Sequence, residues 1–194
     1  NGESRSKYYG NARSIDYGVR GVTGNNVGVF MAMDAREGSS GGPFFRDIQN
    51  QSGADVEVYN YMNSGHNQTE VFRMAFHGPY ALMFTDGATP AMPDMSWVGA
   101  MGLTGYVPPA ARGAVSVAGI SGRDTRFAYT VGLHNDAAQY WAAANPLDGQ
   151  VSKTGIKPGT YTLTVYKNEL AVEKREVTVA AGATTPLGAL AVTG

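Results

Sequence analysis

The sequence predicts an all-β protein, and three observations carry that reading. Runs in which apolar and polar residues alternate recur from one end of the chain to the other, the period of a strand with one buried face. Glycine makes up 26 of the 194 residues, and much of it punctuates the ends of those runs, where turns need a permissive backbone. Only one stretch, NDAAQYWAAAN at 135–145, reads as helix, and it does so on alanine content alone.

Taken in order, the strand candidates of the first half are NVGVFMAMD (26–34), DVEVYNYM (55–62), EVFRMAF (70–76) and YALMFT (80–85). In DVEVYNYM, Val56, Val58, Asn60 and Met62 form a mainly apolar row expected on a core. Asp55, Glu57, Tyr59 and Tyr61 form an acidic and phenolic row expected on an open sheet face. Asn63-Ser64-Gly65 ends that strand, because glycine tolerates the positive φ of a tight turn, and brings His66 to the lip of the polar face. Composition shifts at Tyr106-Val107-Pro108-Pro109, a linker signature that divides the chain into 1–106 and 107–194. Beyond it, GAVSVAGI, RFAYTVGLH, TYTLTVY, LAVEKREVTVA and PLGALAV follow at the spacing of a β-sandwich. Lys167-Asn168-Glu169 joins TYTLTVY to LAVEKREVTVA as a hairpin.

Composition excludes several classes. Charged residues are 16% of the chain and the formal net charge is -1, without the clustered basic face that a nucleic-acid partner requires. No window of about eighteen apolar residues marks a membrane span. Cysteine is absent, which removes disulfides and thiolate metal sites. The sequence begins at Asn1 with neither an initiator methionine nor an apolar leader, and reads as a mature form or as a piece of a longer protein. Asn50-Gln51-Ser52 and Asn67-Gln68-Thr69 match the N-glycosylation pattern and favour export, although a glycan on Asn67 would crowd His66.

Three patches concentrate reactive side chains. NGESRSKYYG packs Arg5, Lys7, Tyr8 and Tyr9 together; its plain alternative is a solvated chain end. SSGGPFFRD turns at Gly41-Gly42-Pro43 beside Arg46 and Asp47, which otherwise form only a surface ion pair. YNYMNSGHNQTE joins Tyr59 and Tyr61 to His66, or is simply a hairpin decorated with polar residues. GSSGGP lacks the GK[ST] ending of a phosphate loop, and the three histidines are too scattered for a metal motif, so neither a metal nor a cofactor is expected.

In sequence order, NGESRSKYYG, SSGGPFFRDI, YMNSGHNQTEVFRMAFHGPY, NDAAQYW and KPGTYTLTVY resemble successive blocks of the fungal rhamnogalacturonan lyases, polysaccharide lyases of family 4 that cleave the rhamnose–galacturonate backbone of pectin. YMNSGH together with HGPY is the specific part of the match. The resemblance implies that residues 1–106 are the C-terminal part of a large galactose-mutarotase-like β-sandwich. It implies that 107–194 are a fibronectin-III-like β-sandwich, with the first part of the large sandwich and a carbohydrate-binding third domain lying outside the chain. It places Lys7 on the catalytic base, His66 on the catalytic acid, and Tyr59 and Tyr61 on two tyrosines bordering the cleft. Arg5 and Arg46 are the cations expected to face the anionic substrate. The arginine that meets the uronate carboxylate in the family would lie upstream of Asn1, so a piece of this extent is expected to be inactive alone. Phe45 departs from the histidine of close relatives.

The residue types suit that chemistry. In a β-elimination the C5 proton of galacturonate is removed beside a carboxylate, and nearby cations stabilise the charge that develops. Lysine serves as the base only when neutral, so its pKa must be lowered by desolvation or by a neighbour such as Arg5. Imidazole lies near neutrality and can protonate the leaving oxygen, and tyrosine offers a flat ring and a hydroxyl to a sugar. The implied partner is the polysaccharide rhamnogalacturonan I, acted on outside the cell by a secreted, monomeric full-length enzyme. The competing reading is a non-catalytic β-sandwich module that binds plant polysaccharide through Tyr59, Tyr61 and Trp97.

Overall fold

The computed structural model describes residues 8–10, 18–34, 37, 42–44, 50–53, 55–59 and 73–193, and it is all-β. Before residue 106 the strands are β1 (Tyr8–Gly10), β2 (Val19–Gly24), β3 (Val27–Met33), β4 (Asn50–Ser52), β5 (Val56–Val58) and β6 (Tyr80–Thr85). After it come β7 (Gly113–Val117), β8 (Gly119–Ser121), β9 (Tyr129–His134), β10 (Gln139–Ala143), β11 (Val151–Ile156), β12 (Gly159–Lys167), β13 (Leu170–Val179), β14 (Thr184–Pro186) and β15 (Ala189–Ala191). The helical pieces among the described residues are two short 3-10 turns, Ser96–Met101 and Pro109–Ala111. No helix among those residues is long and apolar enough to cross a membrane.

The second half is a sandwich. An antiparallel sheet ordered β10-β9-β12-β13 faces a sheet ordered β11-β7-β14, and the β15–β8 pair closes one side. Alternate residues point into the space between them: Val115 and Val117 from β7, Tyr129, Val131 and Leu133 from β9, and Tyr161, Leu163 and Val165 from β12. The hairpin expected at residues 167–169 joins β12 to β13, with Asn168 at a φ of 51°, the left-handed conformation that Asn tolerates.

The helix expected at 135–145 is instead a turn and a strand. Asn135 Oδ1 accepts the backbone N–H groups of Ala137 and Ala138 at 2.9 Å each, and Asn135 N–H donates to Ala138 O at 3.0 Å. That tight turn folds β10 back on β9, pairing Tyr140 with Leu133 and Trp141 with Gly132. Side-chain bonding by Asn and burial of the adjacent aromatics Tyr140 and Trp141 on the two faces of β10 outweigh the weak helical preference of alanine.

In the first half the sheet β2-β3-β6 turns one face toward Met95 and Val98, with Ala32, Ala81 and Met83 packed there. β2 was hidden in the sequence by Gly21 and Gly24. Both Gly21 and Gly28 lie beneath the Phe30 ring, where an added Cβ would stand 2.4–2.5 Å from ring carbons. The opposite face of the sheet leaves Leu82 and Phe84 exposed. The strand expected at 70–76 does not form over its described part, since Arg73–Phe76 carry no ladder; the Arg73 guanidinium and the Phe76 carbonyl bond instead to the second sandwich.

Leu163 is fully buried at the centre of the second sandwich. Leu163→Ala is expected to cost about 2–5 kcal/mol through lost contacts and an unfilled cavity. Urea denaturation should report it as a lower midpoint with an unchanged slope.

Candidate functional site

Of the residues singled out from the sequence, Lys7, His66, Arg5, Arg46 and Tyr61 lie outside the described residues, as does Asn67. Tyr59 is described, and so are the strands on which the candidate cleft depends. β1 directly follows Lys7 in the chain, and β5 directly precedes Tyr59. The two strands belong to one three-stranded sheet with β4 between them, in register Tyr8–Ser52–Val56, Tyr9–Gln51–Glu57 and Gly10–Asn50–Val58. At the usual interstrand spacing this holds β1 and β5 about 10 Å apart. Asn50, first of the two glycosylation matches, stands on the central strand.

Of the strand read at 55–62, the described part is β5, Val56–Val58, and the polar side of the alternation holds for Glu57 and Tyr59. Tyr59 Oη donates to Glu57 Oε2 at 3.0 Å, so the two side chains share a face and the phenol is aimed by the carboxylate. On the apolar side the expectation fails at Val56, which is 49% exposed. β5 is a three-residue edge strand, too short to bring both of its valines under cover. Trp97 stands 61% exposed on the 3-10 turn Ser96–Met101, an element separate from β5. In the second sandwich Trp141 is buried and His134 pairs across the ladder with Gln139 and Thr162, consistent with packing roles.

A second cluster of ionisable groups was not anticipated. Glu37, only 1% exposed, reaches from the first half to the end of the second sandwich. There Arg112, just before β7, forms an ion pair with Glu37 Oε1, and Tyr140 Oη donates to the same oxygen at 3.1 Å. Arg112 is itself oriented by donating through Nε to Val107 O and through Nη1 to Gly155 O, both at 2.8 Å. His77 Nδ1 lies 3.0 Å from Glu37 O; a carbonyl only accepts, so Nδ1 carries the proton. Lys157 Nζ donates to Phe76 O, and Arg73 Nε donates to Asn135 O at 2.9 Å. At the other end of β12 from Lys157, Phe44 sets its ring edge-on against Tyr166, the centroids 5.2 Å apart. Gly42 and Pro43, part of the turn noted as a possible reactive patch, are buried there.

Burial dominates the electrostatics of this seam. It holds the His77 imidazole below its usual range; the Glu37 carbonyl and carboxylate pull the other way, while Lys157 and Arg73 add to the lowering. Burial likewise lowers Lys157 against the attraction of Glu37, and it raises the Tyr140 phenol, with the Glu37 charge acting in the same direction. Tyr140 is therefore a fixed hydrogen-bond donor, and Lys157 a cation held where water is scarce. No local signal marks these residues in the sequence, because Glu37 and Arg112 are 75 positions apart.

Residues 1–105 match a family model described as "Rhamnogalacturonan lyase B, N-terminal", and residues 110–187 match one described as "Polysaccharide lyase family 4, domain II". The chain is 43% identical over 187 residues to the probable rhamnogalacturonate lyase A of Aspergillus terreus. It is 44% identical over 190 residues to a putative rhamnogalacturonase of Neurospora crassa, and 43% identical over 187 residues to the rhamnogalacturonate lyase A of Emericella nidulans. Each alignment takes in 95% of this chain and 35% of the relative, so the chain spans about a third of the length of these curated relatives.

His77 makes the seam sensitive to acid in a defined direction. Its folded pKa lies below the free value of 6.5, so between the two the unfolded chain binds a proton that the folded chain refuses. The contribution of His77 to stability is whole above 6.5 and is lost as pH falls through the lowered folded value. His77→Gln keeps a donor for the Glu37 carbonyl but does not titrate. Urea midpoints at about pH 7.5 and about pH 5, which bracket the imidazole range, should fall further for the wild type than for His77→Gln; parallel changes would show that His77 does not titrate in the seam.

Proposed function

We propose that this chain, which belongs to the rhamnogalacturonan lyases of polysaccharide lyase family 4, supplies cleft residues of an enzyme that cuts the rhamnose–galacturonate backbone of pectin by β-elimination. The observation that carries the proposal is the succession of two lyase-family matches, 1–105 and 110–187, along a single all-β chain. In this reading residues 1–106 are part of the catalytic sandwich and 107–194 the second domain. Because the substrate is a polymer of the plant cell wall, the enzyme acts outside the cell.

The step balances with two side chains. Neutral Lys7 takes the C5 proton of galacturonate. The electron pair of that C–H bond becomes the C4–C5 double bond, and the C4–O bond breaks with its electrons on oxygen. Protonated His66 gives that oxygen its proton. Arg5 keeps Lys7 neutral by like-charge repulsion, provided that the extended chain puts both on one face. Arg46 offers a second cation to the uronate. Tyr59 and Tyr61 present rings to the sugar faces, and the bond from Tyr59 to Glu57 limits how the first ring turns. The shared sheet of β1 and β5 supports the assignment only in putting the strand after Lys7 and the strand before Tyr59 in one layer; the two strands run parallel, so Lys7 precedes the end level with Val56 and Tyr59 follows the end level with Gly10.

Lys7→Ala or His66→Ala in the intact enzyme should lower turnover by roughly 10²-fold or more, as loss of a positioned proton-transfer group does. Binding of oligosaccharide should persist. The ultraviolet absorbance of the unsaturated uronate product measures the rate, and wild-type turnover in Lys7→Ala would remove Lys7 from the mechanism.

A further inference from the structure

The passage from Arg73 to His77 follows the segment that carries His66, and most of what holds it belongs to the second sandwich. Lys157 donates to Phe76 O, and Arg73 donates to Asn135 O at 2.9 Å. Both anchors are rigid. The backbone of Lys157 is fixed on both sides, its N–H donating to Tyr140 Oη at 3.0 Å and its carbonyl accepting Tyr161 Oη at 2.7 Å. Asn135 accepts two backbone N–H groups through Oδ1 and donates through Nδ2 to Thr160 O at 3.1 Å. Lys157 and Arg73 are both buried, so neither can exchange its partner for water without cost. The Phe76 ring, edge-on to Tyr106 with centroids 5.7 Å apart, fixes the same residue from its other side.

We infer that Lys157 is a positioning residue of the lyase: a charged post, built into the second sandwich, that sets where the chain stands as it leaves the His66 segment. The inference rests on the reading of His66 as the proton donor. A general acid acts only within about 2.6–3.2 Å of the atom it protonates, and misplacement by about 1 Å can cost as much as about 10²-fold in rate. An ammonium bonded to a main-chain carbonyl holds that carbonyl through a charge-assisted bond, stronger than a neutral one. The fibronectin-like domain thereby contributes to catalysis without touching substrate.

The test uses the intact enzyme with Lys157→Met, Lys157→Arg and His66→Ala in parallel. For Lys157→Met we expect kcat to fall roughly 10- to 100-fold with KM nearly unchanged, as when an interaction that matters only in the transition state is lost. Amide exchange at residues 76–80 should quicken, and Lys157→Arg, which keeps a cationic donor, should recover most of both. Arg73→Met cuts the neighbouring tether without touching the Glu37 pair, and the same outcomes apply to it should Lys157→Met fail to fold. Wild-type kcat in Lys157→Met beside an inactive His66→Ala would overturn the positioning role alone. An active His66→Ala would overturn the reading on which it rests. Unchanged exchange at 76–80 would show that Lys157 is no tether.

Discussion

A single buried carboxylate, that of Glu37, is the constraint from which the arrangement of the two halves follows. Its side chain is wholly enclosed, and an isolated carboxylate in that position would carry a desolvation penalty of several kcal/mol. The partners that offset it, Arg112 and Tyr140, come from the other half of the chain, so the halves can separate only by exposing or stranding the charge. Both partners act on Oε1, while Oε2 and Arg112 Nη2 are buried without a hydrogen bond. The pairing is therefore not the two-pronged fork that would make such a bridge strongly favourable. Its effect is to fix one relative placement more than to add stability.

The other polar contacts line up behind that placement. With Glu37 seated, its carbonyl receives His77, and Lys157 and Arg73 hold the passage between them. On the outer side of the four-stranded sheet, Thr130, Gln139, Trp141 and Thr164 are buried, and Phe44 of the first half meets Tyr166 there. A sandwich that closed its own core and served only as a spacer would present that face to water. Instead it works as a base on which loops of the first half are mounted, among them the turn before Arg46 and the passage after His66.

How much of this could be read in the sequence depended on how local the cause was. Alternation located YALMFT and the paired strands 160–166 and 170–180, since a period of two needs no knowledge of the partner. It also put Glu57 and Tyr59 on one face, which their hydrogen bond bears out. Alanine content misled at 135–145, because the deciding interactions were the Asn135 turn and the ladder to β9. β2 and β11 were missed because Gly21, Gly24 and the Ser152-Lys153-Thr154-Gly155 run leave little apolar periodicity. Of the candidate site, the roles given to Lys7, Tyr59, Tyr61 and His66 came from family resemblance and not from spacing. Glu37, Arg112 and Lys157 resembled ordinary surface charges beside Gly and Pro, and only long-range packing reveals them as buried.

The central claim, that the Glu37–Arg112 pair sets the halves against each other, is tested most directly by a double-mutant cycle on the whole chain, read by urea unfolding. Glu37→Gln and Arg112→Met should each cost about 3–5 kcal/mol, because each strands a buried group. The double variant should then cost less than their sum by at least about 1 kcal/mol, the coupling of residues in direct contact. Losses that add to within about 0.5 kcal/mol, as for independent sites, would contradict the account.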